Sequence, residues 1–161
     1  MKKLVIAGLT GIVSFLSGFV LGGKVLVKMI NDYKRWMDRN QANMMVFNGW
    51  LEFIYSGGNI QQYFYEHGYK KILVYGNGYI GKRLVQALSN TNIEVVAVMD
   101  KAADSNIEGI LIGTDSKIPN IDCAVITPVF YYEEIYDLLR QKLKTPIISI
   151  DMLWNDAAEI Y

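Results

Sequence analysis

The stretch Lys71-Ile72-Leu73-Val74-Tyr75-Gly76-Asn77-Gly78-Tyr79-Ile80-Gly81 decides the reading of this chain. Lys71 to Tyr75 is a short apolar run of the kind that forms a strand buried on both faces. Three glycines spaced G-x-G-x-x-G follow at once and open a helix expected over Tyr79 to Ser89. Each glycine has a physical task in such a turn. Gly76 permits the sharp bend, Gly78 lets the backbone approach a diphosphate, and Gly81 lets the helix pack closely on the strand. The helix then presents free N–H groups and a positive dipole end to the phosphates, so no charged side chain is required. Gly76, Asn77, Gly78, Tyr79, Ile80 and Gly81 are therefore the candidate ligand-binding residues.

Downstream, the strand Glu94 to Met99 ends at Asp100, about twenty residues beyond the last glycine, where a carboxylate accepts hydrogen bonds from ribose hydroxyls. An Asp at a strand end also caps turns, and both readings stand. An acid at this position disfavours a 2′-phosphate, which argues for NAD over NADP. Further strands are expected at Ile110–Ile112, Cys123–Ile126 and Ile147–Ile150, with a helix over Tyr131–Leu143 between the last two. The predicted class is α/β, a small Rossmann-like parallel sheet of about five strands with its ligand crevice at the carboxyl ends of the strands. Thr127 and Pro128, just after the fourth strand, would border the distal half of the ligand. They suit a plain strand-to-helix turn equally well.

Upstream, Leu4 to Gly23 carries no charge and no proline, and about 20 helical residues span roughly 30 Å of hydrocarbon. Residues 1–24 are expected to be a transmembrane anchor. Lys24, Lys28, Lys34, Arg35 and Arg39 follow it, against Lys2 and Lys3 before it, which places the C-terminal domain in the cytoplasm of a single-pass cell-membrane protein. Ser14, Gly18 and Gly22 form a small-residue stripe suited to a homo-oligomer or a membrane-protein partner.

Residues 25–58 are expected to be an amphipathic stalk helix and its break, with Leu26, Met29, Ile30, Tyr33, Met37, Met44, Phe47, Leu51 and Ile54 at helical spacing. Trp36 or Trp50 could meet the membrane interface or a partner helix, but packing on the domain is the usual answer. Ser56-Gly57-Gly58 breaks the helix. The domain at 59–161 then opens with Asn59 as N-cap and Gln62 in capping-box position, on a short helix Ile60–His67 closed by Gly68.

Composition excludes several classes. Sixteen basic and sixteen acidic residues cancel, leaving no overall nucleic-acid footprint. One cysteine and one histidine leave no disulfide framework and no zinc cluster, so no metal site is expected. Cys123 reads as a small residue in a buried strand, and His67 as a last-turn residue favoured by the helix dipole.

Lys71 to Asp100, together with Val125-Ile126-Thr127-Pro128, resembles the nucleotide-binding Rossmann domains of bacterial surface-polysaccharide synthesis. These are the domains of membrane-bound nucleoside-diphosphate-sugar epimerases and dehydratases, and the N-terminal domain of sugar-nucleotide acyltransferases. The resemblance implies Gly76, Gly78 and Gly81 at the diphosphate and Asp100 at the ribose. It departs from the pattern in two respects. None of the eleven tyrosines is followed four residues later by the lysine of a YxxxK pair, and neither a substrate-binding half nor a hexapeptide-repeat domain is expected beside it.

Three readings result. The first is a membrane-anchored nucleotide-binding module, for a dinucleotide such as NAD or a nucleotide-sugar, accessory to polysaccharide synthesis. The second is an NAD-dependent epimerase or oxidoreductase completed by a partner chain, whose nearest acid-base candidates are Tyr131, Tyr132, Glu133 and Glu134. The third is a ligand-free Rossmann interaction domain.

Overall fold

The strand expected from Lys71 to Tyr75 is present with those limits (β1) and lies at the centre of the sheet. The computed structural model describes the backbone of residues 2–103 and 110–158, and the side chains of residues 22–103 and 110–155. In chain order the elements are α1 (Lys2–Tyr55), α2 (Ile60–Glu66), β1, α3 (Tyr79–Leu88), β2 (Glu94–Asp100), β3 (Leu111–Gly113), β4 (Cys123–Ile126), a 3₁₀ turn (Val129–Tyr131), α4 (Tyr132–Arg140), β5 (Ile147–Ser149) and α5 (Met152–Ala158). The sheet order is β3-β2-β1-β4-β5 with every pairing parallel. The chain reverses direction of travel across the sheet between β3 and β4, which opens a crevice at the carboxyl ends of β1 and β4.

The alternation of β1 divides the core. Ile72 and Val74 face a cluster with Phe64, Leu84, Leu88, Leu153 and Trp154, whereas Leu73 and Tyr75 face Ile126, Ile135 and Leu139. Helices therefore cover both faces, and a strand between them has no polar side to show, hence its unbroken apolar run. Cys123 is fully buried in β4, and burial pushes its thiol pKa up to about 12, so it is an inert packing residue.

The chain divides into two compact units, Met1–Asn40 and Gln41–Tyr161. In the first, every described residue belongs to α1. Among the described residues no helix is long and apolar enough to cross a membrane. The expected anchor, Leu4 to Gly23, lies outside the described side chains except for Gly22 and Gly23, and Ser14 and Gly18 of the small-residue stripe lie outside them as well.

In the second unit, the last turns of α1 are part of the core, with Trp50 packed on the domain as expected and Phe47 of the expected stripe partly buried against it, but the rest of the stripe in this unit turned away. Met44, Leu51 and Ile54 are exposed, while Val46 and Trp50 are buried and Trp50 stacks on Trp154 with ring centroids 6.1 Å apart. Gly49 selects this face: a Cβ there would sit 2.7 Å from Nε1 of Trp154. The missing side chain lets the α5 indole reach the helix backbone. Helix α5 itself was not foreseen; at seven residues it is too short for a periodic signal.

Other local expectations need smaller corrections. Asn59 caps α2 by accepting from the backbone N–H of Gln61, and Gly68 takes the left-handed conformation at φ +71°. The capping box does not close, because Gln62 Nε2 donates to Glu66 Oε1 one turn along. The expected helix Tyr131–Leu143 is a 3₁₀ turn followed by the shorter α4.

At the amino end of the sheet, Asp122 Oδ2 accepts from the backbone N–H groups of Lys70 at 2.9 Å and Lys71 at 2.8 Å. The bonds from Lys71 and then Lys70 hold its carboxyl pKa below the ordinary 3.8. A depressed folded-state pKa gives stability that is present above the ordinary value and lost as the pH falls through the depressed one. Asp122→Asn is accordingly expected to be less stable than the native chain near neutrality, with the gap closing below about pH 4 in acid titrations of urea midpoints. Gly49→Val is expected to cost about 1–3 kcal/mol in the same assay, since Trp154 must move.

Candidate functional site

The site is built at the carboxyl ends of β1, β2 and β4, and Gly76 is its pivot. Its φ of +104° is a conformation that side chains disfavour. A Cβ there would also lie 2.6 Å from Thr127 Oγ1 and 3.0 Å from the Pro128 ring. The Gly76 N–H donates to the Met99 carbonyl at 2.7 Å, which ties the turn to β2.

Thr127 and Pro128, expected along the distal half of a ligand, form the back wall of this turn. Thr127 is 2% exposed, and both its hydroxyl and its N–H donate to the Tyr75 carbonyl, at 2.9 and 3.0 Å. Gly81, one turn into α3, lies against the same point: a Cβ on it would overlap the Gly76 carbonyl oxygen. Ile80 is buried in the core beside Leu84. Three of the candidate positions, Gly76, Ile80 and Gly81, are thus explained by packing alone.

Gly78 is different. Its backbone is ordinary extended chain at φ −75°, ψ −168°, and a Cβ added to it would meet nothing within 4 Å. Neither conformation nor protein packing requires glycine there. It is the N-cap of α3, and among the described residues no side chain caps that end. The first N–H groups of the helix have no acceptor within the helix, and the positive end of the dipole lies behind them. Tyr79, 65% exposed, flanks the opening, with its ring edge-on to Phe47 at 5.1 Å and the Arg83 guanidinium 5.1 Å from its centroid.

Asp100 stands on the other side. Its Oδ2 accepts from the Asn77 N–H at 2.6 Å and its Oδ1 from the Ala102 N–H at 2.8 Å. The carboxylate braces the glycine turn, and each oxygen keeps a second lone pair for a ribose hydroxyl. Sequence reasoning missed Tyr75 as a neighbour of this group. Burial, and then the negative charges of Asp100 and Glu134, raise the pKa of its phenol. The only signal available was its place at the end of β1.

The acid-base candidates Tyr131, Tyr132, Glu133 and Glu134 lie in the 3₁₀ turn and the first turn of α4 that follow β4. Glu133 and Glu134 are exposed in the first turn of α4, where the helix dipole favours acids. Burial raises the Tyr132 pKa, with Tyr136, Glu133 and Asp151 adding to it. A tyrosine base needs the opposite shift.

Gly81→Ala is expected to unfold the domain or destabilise it by at least about 3 kcal/mol in chemical denaturation, because α3 must withdraw from a backbone atom rather than from a flexible side chain.

Residues 68–148 match the model of a family described as C2185-like, N-terminal. No curated protein and no solved structure matches the chain. The matched region begins at Gly68, ahead of β1, and ends inside β5, so it takes in the glycine turn, Asp100 and Thr127. It covers half of the chain, and the protein belongs to the C2185-like, N-terminal family.

Proposed function

We propose that this protein is a membrane-anchored nucleotide-binding module, accessory to bacterial surface-polysaccharide synthesis, that holds NAD or a nucleotide-sugar with its diphosphate at the N-terminus of α3. The observation that supports this most directly is Gly78: a glycine that the fold does not need, set at an uncapped helix end with open space above it. A diphosphate there would accept hydrogen bonds from the first-turn N–H groups without any charged side chain. Asp100 adjoins that space and would receive the ribose, which favours NAD or a nucleotide-sugar over NADP. The surroundings in polysaccharide synthesis follow from the resemblance of Lys71–Asp100 and Val125–Pro128 to the domains named above. Leu4–Gly23 is the anchor in this reading, with the α/β domain on the cytoplasmic side.

One observation favours a second reading, a Rossmann domain that binds protein rather than nucleotide. Both Asp100 oxygens already hold backbone N–H groups, so the turn is braced without a ligand.

Thermal unfolding of the full chain in detergent, with NAD, NADP, UDP-sugars and CoA in turn, separates the two. A ligand at a hundred times its Kd adds about 2.7 kcal/mol to the folded state. The module reading expects a selective rise in melting temperature with NAD or a UDP-sugar. It also expects Gly78→Val to abolish that rise while costing the ligand-free chain only the loss of a glycine N-cap, about 1 kcal/mol of stability. No rise with any of the four classes supports the protein-binding reading.

A further inference from the structure

The first compact unit has a surface that the nucleotide site does not explain. At about 100° per helical residue, Leu26, Met29, Ile30, Tyr33, Trp36 and Met37 fall within an arc of about 120°. All six are between 48% and 63% exposed, and the Tyr33 and Trp36 rings stack at 5.9 Å. Lys24, Lys28, Arg35 and Arg39 fall within about 60° on the opposite side. Between residues 24 and 39 five cations face two anions, Asp32 and Asp38.

Width and charge together select the occupant of this face. A seam for one partner helix is a narrow stripe, whereas this arc is broad and carries an aromatic pair. The basic excess repels a second copy of the same segment and is attracted to anionic headgroups. A broad apolar face with Trp and Tyr, backed by Lys and Arg, is the chemistry of a helix lying in a membrane interface. Gly22 and Gly23 immediately precede Lys24, and a Cβ on either would meet nothing within 4 Å. Adjacent glycines are where a helix bends at least cost.

We propose that residues 24–39 are a membrane-surface helix that lies on an anionic leaflet. Leu26, Ile30, Tyr33 and Trp36 enter the acyl boundary, and Lys24, Lys28, Arg35 and Arg39 meet lipid phosphates. The inference draws on the anchored reading only in needing the chain at a bilayer, and it is independent of the nucleotide site.

The test uses the full chain with an environment-sensitive fluorophore at Met29→Cys or, on the polar side, at Asn31→Cys; Cys123 is buried and does not compete for label. Each is mixed with phosphatidylcholine vesicles with and without phosphatidylglycerol, and flotation is scored separately. The expected result is blue-shifted emission at position 29, quenched by shallow lipid nitroxides and enhanced by phosphatidylglycerol, with position 31 remaining in water. Lys28→Glu with Arg35→Glu should remove the phosphatidylglycerol dependence. A chain that floats with position 29 in water overturns this inference and leaves the anchor standing. Protection at 29 with quenching between labels but none by lipid assigns the face to a second copy and overturns it as well. Flotation only with phosphatidylglycerol, with position 29 quenched, supports the surface helix and removes the transmembrane anchor; no flotation with either lipid removes both.

Discussion

The contact between Gly81 and the carbonyl oxygen of Gly76 sets the distance between α3 and the end of β1. A helix held that close to a strand leaves no space for a side chain at either residue, and the turn between them is forced into a left-handed start at Gly76. Thr127 and Pro128 then fill the space behind the turn, which fixes where β4 must end. This packing borders the crevice that the sheet's reversal opens at the carboxyl ends of β1 and β4. The helix end that faces it inherits a dipole and free N–H groups irrespective of any ligand.

That sequence of constraints explains which parts of the molecule can be read from its residues. A strand buried on both faces leaves an unbroken apolar run, so β1 and β4 are legible to the residue. The glycine spacing announces the turn because backbone contacts depend on which position lacks a side chain. What stays hidden depends on partners distant in sequence. The docking face of α1 is chosen by Gly49 and Trp154, over a hundred residues apart, so local periodicity finds Phe47 but also points to the exposed Met44, Leu51 and Ile54 and passes over the buried Val46. Helix α5 is legible only once the sheet is in place to receive Leu153 and Trp154. Likewise, the hydrogen bond from Asn77 to Asp100 joins residues 23 apart and leaves no mark in either neighbourhood.

Within the glycine motif itself, the three residues separate into different kinds of requirement. Gly76 and Gly81 answer to conformation and packing, so their presence says that the fold is built, not that it is occupied. Gly78 answers to neither. The informative position in such a motif is the one whose removal the protein itself would not notice. Asp100 has the reverse character: its carboxylate serves the turn before it can serve a ligand, which makes it a poor discriminator between an occupied and an empty site.

The stacking of Trp50 on Trp154 has a further consequence for the integrity of the chain. The turn at Ser56-Gly57-Gly58, exposed at Ser56 and Gly57, is an accessible place for a protease to cut. A cut there would not set the α/β domain free, because the segment ahead of it keeps Val46 and Trp50 in the shared core. The last turns of α1 would stay on the α/β domain, held by shape and apolar contact after the covalent link had gone.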